Sequence, residues 1–297
     1  DNYKECIIKY YLDVTGADSS NGQYIEFAVA EKNFVIGTSS TISEQRATKK
    51  DRWITGDITY SINDVKGVAI NPASGKLTVT DIDKLVEEVR DGHNEIVVTA
   101  KKAATRRYGA DEISYKVIVS FEATPSNPNS LSDVDGTNDW YKTEAIVTPV
   151  DGYAIAQKAS DSFETTTEFS NQGTDVRYVY LKNTATGGIT DRIAVNIKID
   201  KTAPIVRIKH DSDGQKTIFT VVEHNFRASD GVISGTMKGI KGADVAFTAA
   251  QLTDILNDAT WTQNGDVYTY EYNQYVNGIY NLKMDYTVIA GWPATED

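Results

Sequence analysis

The stretch Asp191–His210 constrains the fold of this chain more than any other. Apolar and polar residues alternate over Ile193–Ile199, which is the period of a strand with one buried and one solvated face. After Pro204 the apolar positions shift by one residue, to Val206 and Ile208. Because proline cannot donate to a strand ladder and a one-residue shift exchanges the two faces, the pattern predicts a chain that leaves one sheet and enters another. We interpret this stretch as the junction between two β-domains.

Short alternating segments separated by turn residues fill most of the remaining chain. Further strands are predicted at 6–14, 25–29, 58–62, 68–70, 77–79, 95–101, 113–121, 145–147, 153–155, 177–181, 218–223, 232–237 and 244–247. The polar, aperiodic residues 38–52 predict a loop. Two alternating runs, 268–272 and 280–286, flank Asn277 and Gly278 and predict a hairpin.

Helical spacing of apolar residues is confined to two places. It predicts short helices near 81–90 and 248–257. So little helix among many strands favours all-β sandwiches over alternating strand and helix units. Residues 124–139, with two prolines and three serines, predict a linker.

These boundaries predict three β-sandwich domains in tandem. The domains are residues 1–123, 140–203 and 204–297, with the linker 124–139 after the first. Residues 1–37 either add strands to the first domain or end a preceding one. Trp140 is expected to fill the core of the small second domain.

Net charge and composition exclude several classes of function. The formal charge of −12 disfavours nucleic acid, whose phosphates attract basic proteins. Apolar runs stay far below the roughly 18 residues that cross a bilayer, so no membrane insertion is expected. Cys6 is the single cysteine, which rules out an internal disulfide and a cysteine-based metal cluster. We expect the protein to be a monomer. Because the chain begins at Asp1 and not at a methionine, we also expect it to be a mature or excised portion of a longer protein.

Catalytic patterns are missing from the sequence. The three histidines, His93, His210 and His224, lie in separate segments, and no zinc-protease, nucleophile-elbow, dinucleotide or P-loop motif occurs. A base or nucleophile needs a partner within hydrogen-bond reach. We therefore expect no enzymatic activity and interpret His224 as a structural residue at a strand end.

The segment 133–139 contains the candidate metal ligands. Asp133, Asp135 and Asp139 surround a glycine turn and could supply several of the six to eight oxygens that calcium takes. Their spacing is not that of an EF-hand, and an acidic linker that serves solubility alone is the competing interpretation. Calcium is the one cofactor that the sequence suggests.

Aromatic residues supply the candidate ligand contacts. Trp292 is the residue expected to contact a ligand if its side chain is exposed. Tyr268, Tyr270 and Tyr272 could form a binding platform, but their strict alternation favours burial against the other sheet of the third domain.

Three segments carry a resemblance to a known family. Tyr178–Asn183, Thr186–Asp191 and Asp200–Pro204 resemble the tandem immunoglobulin-like domains of bacterial cell-surface proteins, over roughly residues 140–297. The first domain is similar to cadherin-like or bacterial immunoglobulin-like repeats through Ile58–Ile62 and Ile70–Val79, although the acidic calcium motifs of cadherins are missing at its ends.

The resemblance implies three immunoglobulin-like sandwiches that are extracellular, either on a bacterial surface or secreted. It implies adhesion without catalysis, with a host protein as ligand, immunoglobulin or matrix, and a glycan as a further class. Two alternatives stay open: accessory modules of a secreted carbohydrate-active enzyme, and a spacer stalk without ligand. Fold analogy alone does not choose among them.

Overall fold

The computed structural model describes residues 23–211, 216–239, 244–245, 249–273 and 278–296. Contacts divide the chain into two compact units, each built from separate segments. Unit 1 comprises 1–128, 149–165 and 179–193, and unit 2 comprises 129–148, 166–178 and 194–297. The strand predicted at 6–14, with Cys6, lies outside the described residues.

Strands are the main regular secondary structure of the described chain. The first half contains β1 (Ile25–Glu26), β2 (Glu31–Val35), β3 (Thr41–Ser43), β4 (Thr48–Lys49), β5 (Ile58–Ile62), β6 (Val68–Ile70), β7 (Leu77–Val79), β8 (Glu95–Lys102), β9 (Asp111–Ser120), β10 (Asn129–Leu131), β11 (Trp140–Tyr141) and β12 (Ala145–Pro149). The second half contains β13 (Tyr153–Ala156), β14 (Thr167–Phe169), β15 (Val176–Asn183), β16 (Ile193–Asn196), β17 (Lys198–Ile199), β18 (Ile205–Asp211), β19 (Lys216–Val222), β20 (Gly231–Gly239), β21 (Asp244–Val245), β22 (Thr262–Asn264), β23 (Val267–Asn273), β24 (Gly278–Tyr286) and β25 (Thr295–Glu296).

Two short α-helices accompany the strands. Helix α1 spans Ile82–Arg90 and α2 spans Ala249–Ile255, as predicted. Asp81 caps α1 by accepting from the backbone N–H of Lys84 at 3.2 Å. Neither helix is long and apolar enough to span a bilayer, and the same holds for every helix among the described residues.

Unit 1 is a sandwich built on two sheets. A four-stranded sheet has the order β2-β9-β8-β5 and faces a three-stranded sheet ordered β3-β7-β6. Alternation places one face of β8 and β9 in the core, where Ile96, Val98, Tyr115 and Val117 are buried. Leu85 of α1 packs into the same cluster.

The core of unit 1 also takes in residues that the sequence assigned to the second domain. Ile189 is buried in this cluster, and its N–H donates to the carbonyl of Ile36 at 2.8 Å. Arg90 of α1 donates from Nη2 to the Asp191 carboxylate at 2.8 Å and to the Tyr180 hydroxyl at 3.1 Å. The segment 179–193 is therefore bonded into unit 1.

Unit 2 contains two larger sheets. One has five strands in the order β22-β23-β19-β18-β25, and the other has three in the order β21-β20-β24. Their core contains Phe219, Val221, Trp261 and Met284. Trp140 is buried as expected, but it belongs to this same cluster and not to a separate core of the small second domain.

The junction has the sheet change that its pattern predicts. Strand β17 pairs in parallel with β11, and β18 pairs antiparallel with β19 in the five-stranded sheet. Burial alternates up to Ile199, and Val206 is buried after the proline. Ile208 departs from the prediction with 36% of its surface exposed.

Three local predictions were wrong. Residues 38–52 are not all loop, because they contain β3 and β4. The predicted linker 124–139 contains β10, which lies in a sheet with β12 and β14. The predicted hairpin partners β23 and β24 are both strands, but β23 pairs with β19 and β22, whereas β24 pairs with β20 in the other sheet. Each error concerns pairing with a distant segment, which local periodicity does not contain.

The all-β fold predicted from the sequence is confirmed. The division into three sequential domains stays a prediction.

Candidate functional site

Two loops lie side by side at one end of unit 1. The first connects β4 to β5 and the second connects β8 to β9. The N–H of Ala103 donates to the carbonyl of Asp57 at 3.0 Å, and the hydroxyls of Thr55 and Thr105 are 3.3 Å apart. We call residues 46–57 and 101–110, which add β4 and the last two residues of β8 to the two loops, the loop end.

Gly56 permits this close approach. Its φ is +109°, in the left-handed region where glycine is strongly preferred because it has no Cβ. A Cβ at this position would lie 2.7 Å from the carbonyl oxygen of Ala103. Glycine is therefore needed for the first loop to pass the second.

The buried side chain of Lys102 joins the two ends of the second loop. Only 1% of its surface is exposed, and its Nζ donates to the carbonyls of Ala103 at 2.9 Å and Gly109 at 2.6 Å. The Nζ also lies 5.2 Å from the ring centroid of Tyr24. Burial lowers the pKa of Lys102, and the charge of the neighbouring Lys49 acts in the same direction. These contacts fix the base of the loop.

Trp53 stands at the tip of the first loop with 61% of its surface exposed. The carboxylate of Asp51 accepts from the Trp53 N–H at 3.0 Å, and Ile54 is buried beside it. The guanidinium carbon of Arg52 lies 4.6 Å from the Trp53 ring centroid. An indole is thus presented to solvent on a loop whose backbone is held in place.

The structure gives the three candidate calcium ligands different surroundings. Asp135 accepts from the N–H of Lys142 at 2.6 Å and from the hydroxyl of Thr143 at 2.8 Å. These hydrogen bonds lower the pKa of Asp135 against the opposing effect of desolvation. Asp133 and Asp139 are not brought together with Asp135 into a ligand set, since no group of three or more His, Cys, Asp or Glu side chains suited to a metal occurs among the described residues. Calcium binding at 133–139 stays a prediction.

Trp292, the candidate ligand-contact residue, is half-buried. Its indole N–H donates to the carbonyl of Asp200 at 2.8 Å, and the ring lies 4.7 Å from the Nζ of Lys142. Lys142 also donates to the carbonyl of Gly291 at 3.0 Å. These contacts give Trp292 a structural role in unit 2, and a ligand contact there stays a prediction.

Asp200 organises the junction. Its side chain is fully buried, and Oδ1 accepts from the Thr202 N–H at 3.2 Å, the Thr202 hydroxyl at 3.4 Å and the Gln172 amide at 3.2 Å. Its own N–H donates to the carbonyl of Tyr141 at 2.9 Å. Its Oδ2 is buried without a hydrogen-bond partner.

A cavity of about 470 Å³ opens beside this junction in unit 2. Glu223 lines it and is 3% exposed, with Oε1 accepting from the Asn225 N–H at 2.7 Å and Oε2 unpartnered. Burial raises the pKa of Glu223 to about 7, and the negative charges of Asp200 and Asp266 act in the same direction. The cavity therefore contains a carboxyl group that titrates near neutral pH.

The tyrosine stripe is packed as the burial interpretation expected. Tyr268, Tyr270 and Tyr272 are partly buried against the core cluster of unit 2. Tyr268 stacks on Phe226 with centroids 4.1 Å apart. His224 follows β19, and its Nδ1 lies 3.2 Å from the carboxylate of Asp266.

Sequence reasoning missed Trp53 and Glu223. A signal for Trp53 existed, because an aromatic residue that follows Asp51 and Arg52 in an aperiodic polar stretch has no apolar neighbours with which to be buried. Glu223 offered no such signal, since Asp200 and Asp266 reach it from distant segments.

Comparisons with known proteins gave structural matches only. Neither the protein-family models nor the curated protein sequences contain a match. Among solved structures, the chain is similar to Drosophila N-cadherin EC1-4 at 14% identity, covering 90% of this chain and 73% of that one with a TM-score of 0.28. It is similar to Drosophila N-cadherin EC1-3 at 16% identity, covering 90% and 98% with a TM-score of 0.22.

A third solved structure is that of zebrafish RET cadherin-like domains 1 to 4. It has 12% identity, covers 74% of this chain and 58% of that one, and has a TM-score of 0.17. These values carry no argument about ligand or activity. No family model supports the resemblance to bacterial immunoglobulin-like domains.

Proposed function

We propose that this chain is a non-catalytic segment of a bacterial cell-surface protein that acts as an adhesin. It binds host extracellular-matrix material, with a host protein as the first ligand class, through the loop end of unit 1. Immunoglobulin is the second protein ligand to be tested.

The observation that carries the proposal is the exposed indole of Trp53 on a braced loop. Tryptophan and arginine are the residue types most enriched among binding hot spots, and Arg52 lies against the Trp53 ring. Loops at one end of a rigid β-sandwich are a common location for binding residues. Bracing by Asp51 and Ile54 reduces the entropy that the loop loses on binding.

The test compares three forms of the chain on immobilised matrix proteins and immobilised immunoglobulin. We expect Trp53→Ala to weaken binding by at least about tenfold, as hot-spot truncations do. The free energy of unfolding should change by less than about 0.5 kcal/mol, because the side chain is exposed. Surface plasmon resonance and urea denaturation measure the two quantities.

Val232→Ala is the matched control. Val232 is 63% exposed in unit 2, so this variant removes a comparably exposed apolar side chain from a different part of the chain. It should bind as the wild type does. Equal binding by Trp53→Ala and the wild type would contradict the proposal, and failure of every form to bind either ligand would favour a spacer.

A further inference from the structure

The loop end is basic although the chain as a whole is acidic. Residues 46–57 contain Arg46, Lys49, Lys50 and Arg52 with two acidic residues, Asp51 and Asp57. Residues 101–108 contain Lys101, Lys102, Arg106 and Arg107 with no acidic residue. Eight of the 30 basic residues thus fall in two stretches that the fold places side by side.

Several of these charges have no counter-ion. Lys49, Arg52, Arg106 and Arg107 are exposed, and none of them forms an ion pair in the part of the chain that the structure describes. Lys101 differs, because its Nζ lies 3.0 Å from a carboxylate oxygen of Glu112. At physiological salt, charges beyond about 8 Å are largely screened, so a ligand at the loop end meets this local charge more than the net charge of −12.

The shape of the loop end adds a concave surface to the charge. A groove of about 630 Å³ beside the loops is lined by Lys49, Gly56, Asp57, Thr59 and Tyr60. Lys49 and Asp57 are its charged lining residues, and Lys49 is the one basic residue that belongs to both the groove and the loop end. Arginine guanidinium groups bind sulfate and carboxylate in a bidentate manner, and an exposed indole offers a flat apolar face to a sugar ring.

Nucleic acid fits this surface less well. Single-strand binding surfaces stack successive bases on several aromatic rings, but Trp53 is the single strongly exposed aromatic side chain among the described residues of the loop end. Tyr24 and Tyr108 pack edge to face against each other, with centroids 5.8 Å apart.

We propose that the loop end binds a sulfated polysaccharide, with Arg106, Arg107 and Lys49 contacting the anionic groups and Trp53 packing on a sugar ring. This inference rests on the proposed function, since it names a ligand class of the same adhesive surface.

The experiment measures binding of the full chain to heparin by isothermal titration calorimetry at increasing salt. We expect binding that weakens steadily as salt rises, because each contact releases counter-ions. Arg106→Ala/Arg107→Ala should weaken binding by about tenfold, equivalent to about 1.4 kcal/mol. Lys158→Ala/Lys201→Ala removes the same net charge from exposed positions elsewhere and should bind heparin as the wild type does.

Three outcomes would overturn the inference. They are no binding to heparin, equal loss in both double variants, or tighter binding to a single-stranded oligonucleotide or to phosphatidylserine vesicles than to heparin. If heparin fails to bind while Trp53→Ala still abolishes binding to matrix protein, the sulfated-polysaccharide inference fails and the proposed function stands. If heparin binds but Trp53→Ala leaves matrix-protein binding unchanged, the proposed function fails and the sulfated-polysaccharide inference stands.

Discussion

Asp200 and Glu223 are almost fully buried in unit 2, and each keeps one carboxylate oxygen without a hydrogen-bond partner. A buried charge without full hydrogen bonding is costly, so a protein that retains one either protonates it or compensates for it. Glu223 is of the protonated kind, because its raised pKa keeps the carboxyl group protonated below about pH 7.

This titration makes a prediction for stability. In the unfolded chain Glu223 loses its proton near the ordinary value of 4.5, whereas the folded chain holds it to about 7. Between these values the folded state binds more protons, so the free energy of unfolding falls as pH rises, by about 3 kcal/mol across the window. Glu223→Gln, which mimics the protonated form, should remove this slope and be more stable than the wild type at pH 8.

Urea denaturation from pH 4.5 to pH 8 measures the effect. Glu144→Gln, at an exposed position, is the control and should keep the wild-type slope. Parallel profiles for Glu223→Gln and the wild type would show that the Glu223 carboxyl is not protonated in the folded chain at neutral pH.

Elements were predictable where their signal is local. Helix α1 follows from the apolar spacing of Ile82, Leu85 and Val86 and from the Asp81 cap, all within ten residues. Strands β8 and β9 follow from alternation alone. Strand pairing was not predictable in the same way. Strands β23 and β24 are consecutive in the chain, yet β23 pairs with β19 in one sheet and β24 pairs with β20 in another.

The junction between β17 and β18 depends both on a local sequence pattern and on contacts with distant segments. Its sheet change was predictable from the phase shift around Pro204. The hydrogen bonds that hold it were not, because Gln172 and Trp292 reach Asp200 from 28 and 92 residues away.

The junction gives a prediction of its own. Asp200→Ala removes the acceptor of three hydrogen bonds and should lower the free energy of unfolding by about 2–3 kcal/mol. Asp200→Asn keeps an acceptor oxygen and removes the buried charge, so its loss should be less than half as large. Urea denaturation at pH 7 compares the two, and equal losses would mean that the side-chain oxygen does not hold the junction.

At the scale of the whole molecule, the sequence indicated the all-β class and the acidic character. It did not indicate that basic residues from two stretches about 50 positions apart meet at one end of unit 1. Antiparallel pairing of β8 with β5 and β9 brings those stretches together. The candidate binding surface is therefore a product of topology, and composition averaged over 297 residues conceals it.

The most direct test of this account is lysine footprinting of the chain bound to extracellular matrix. Acetylation followed by mass spectrometry reports which lysines the ligand covers. We predict protection of Lys49, Lys50 and Lys101 at the loop end, with Lys158 and Lys198 modified as in the free chain. Protection confined to lysines of unit 2, with the loop end fully modified, would contradict the claim that the chain binds through unit 1.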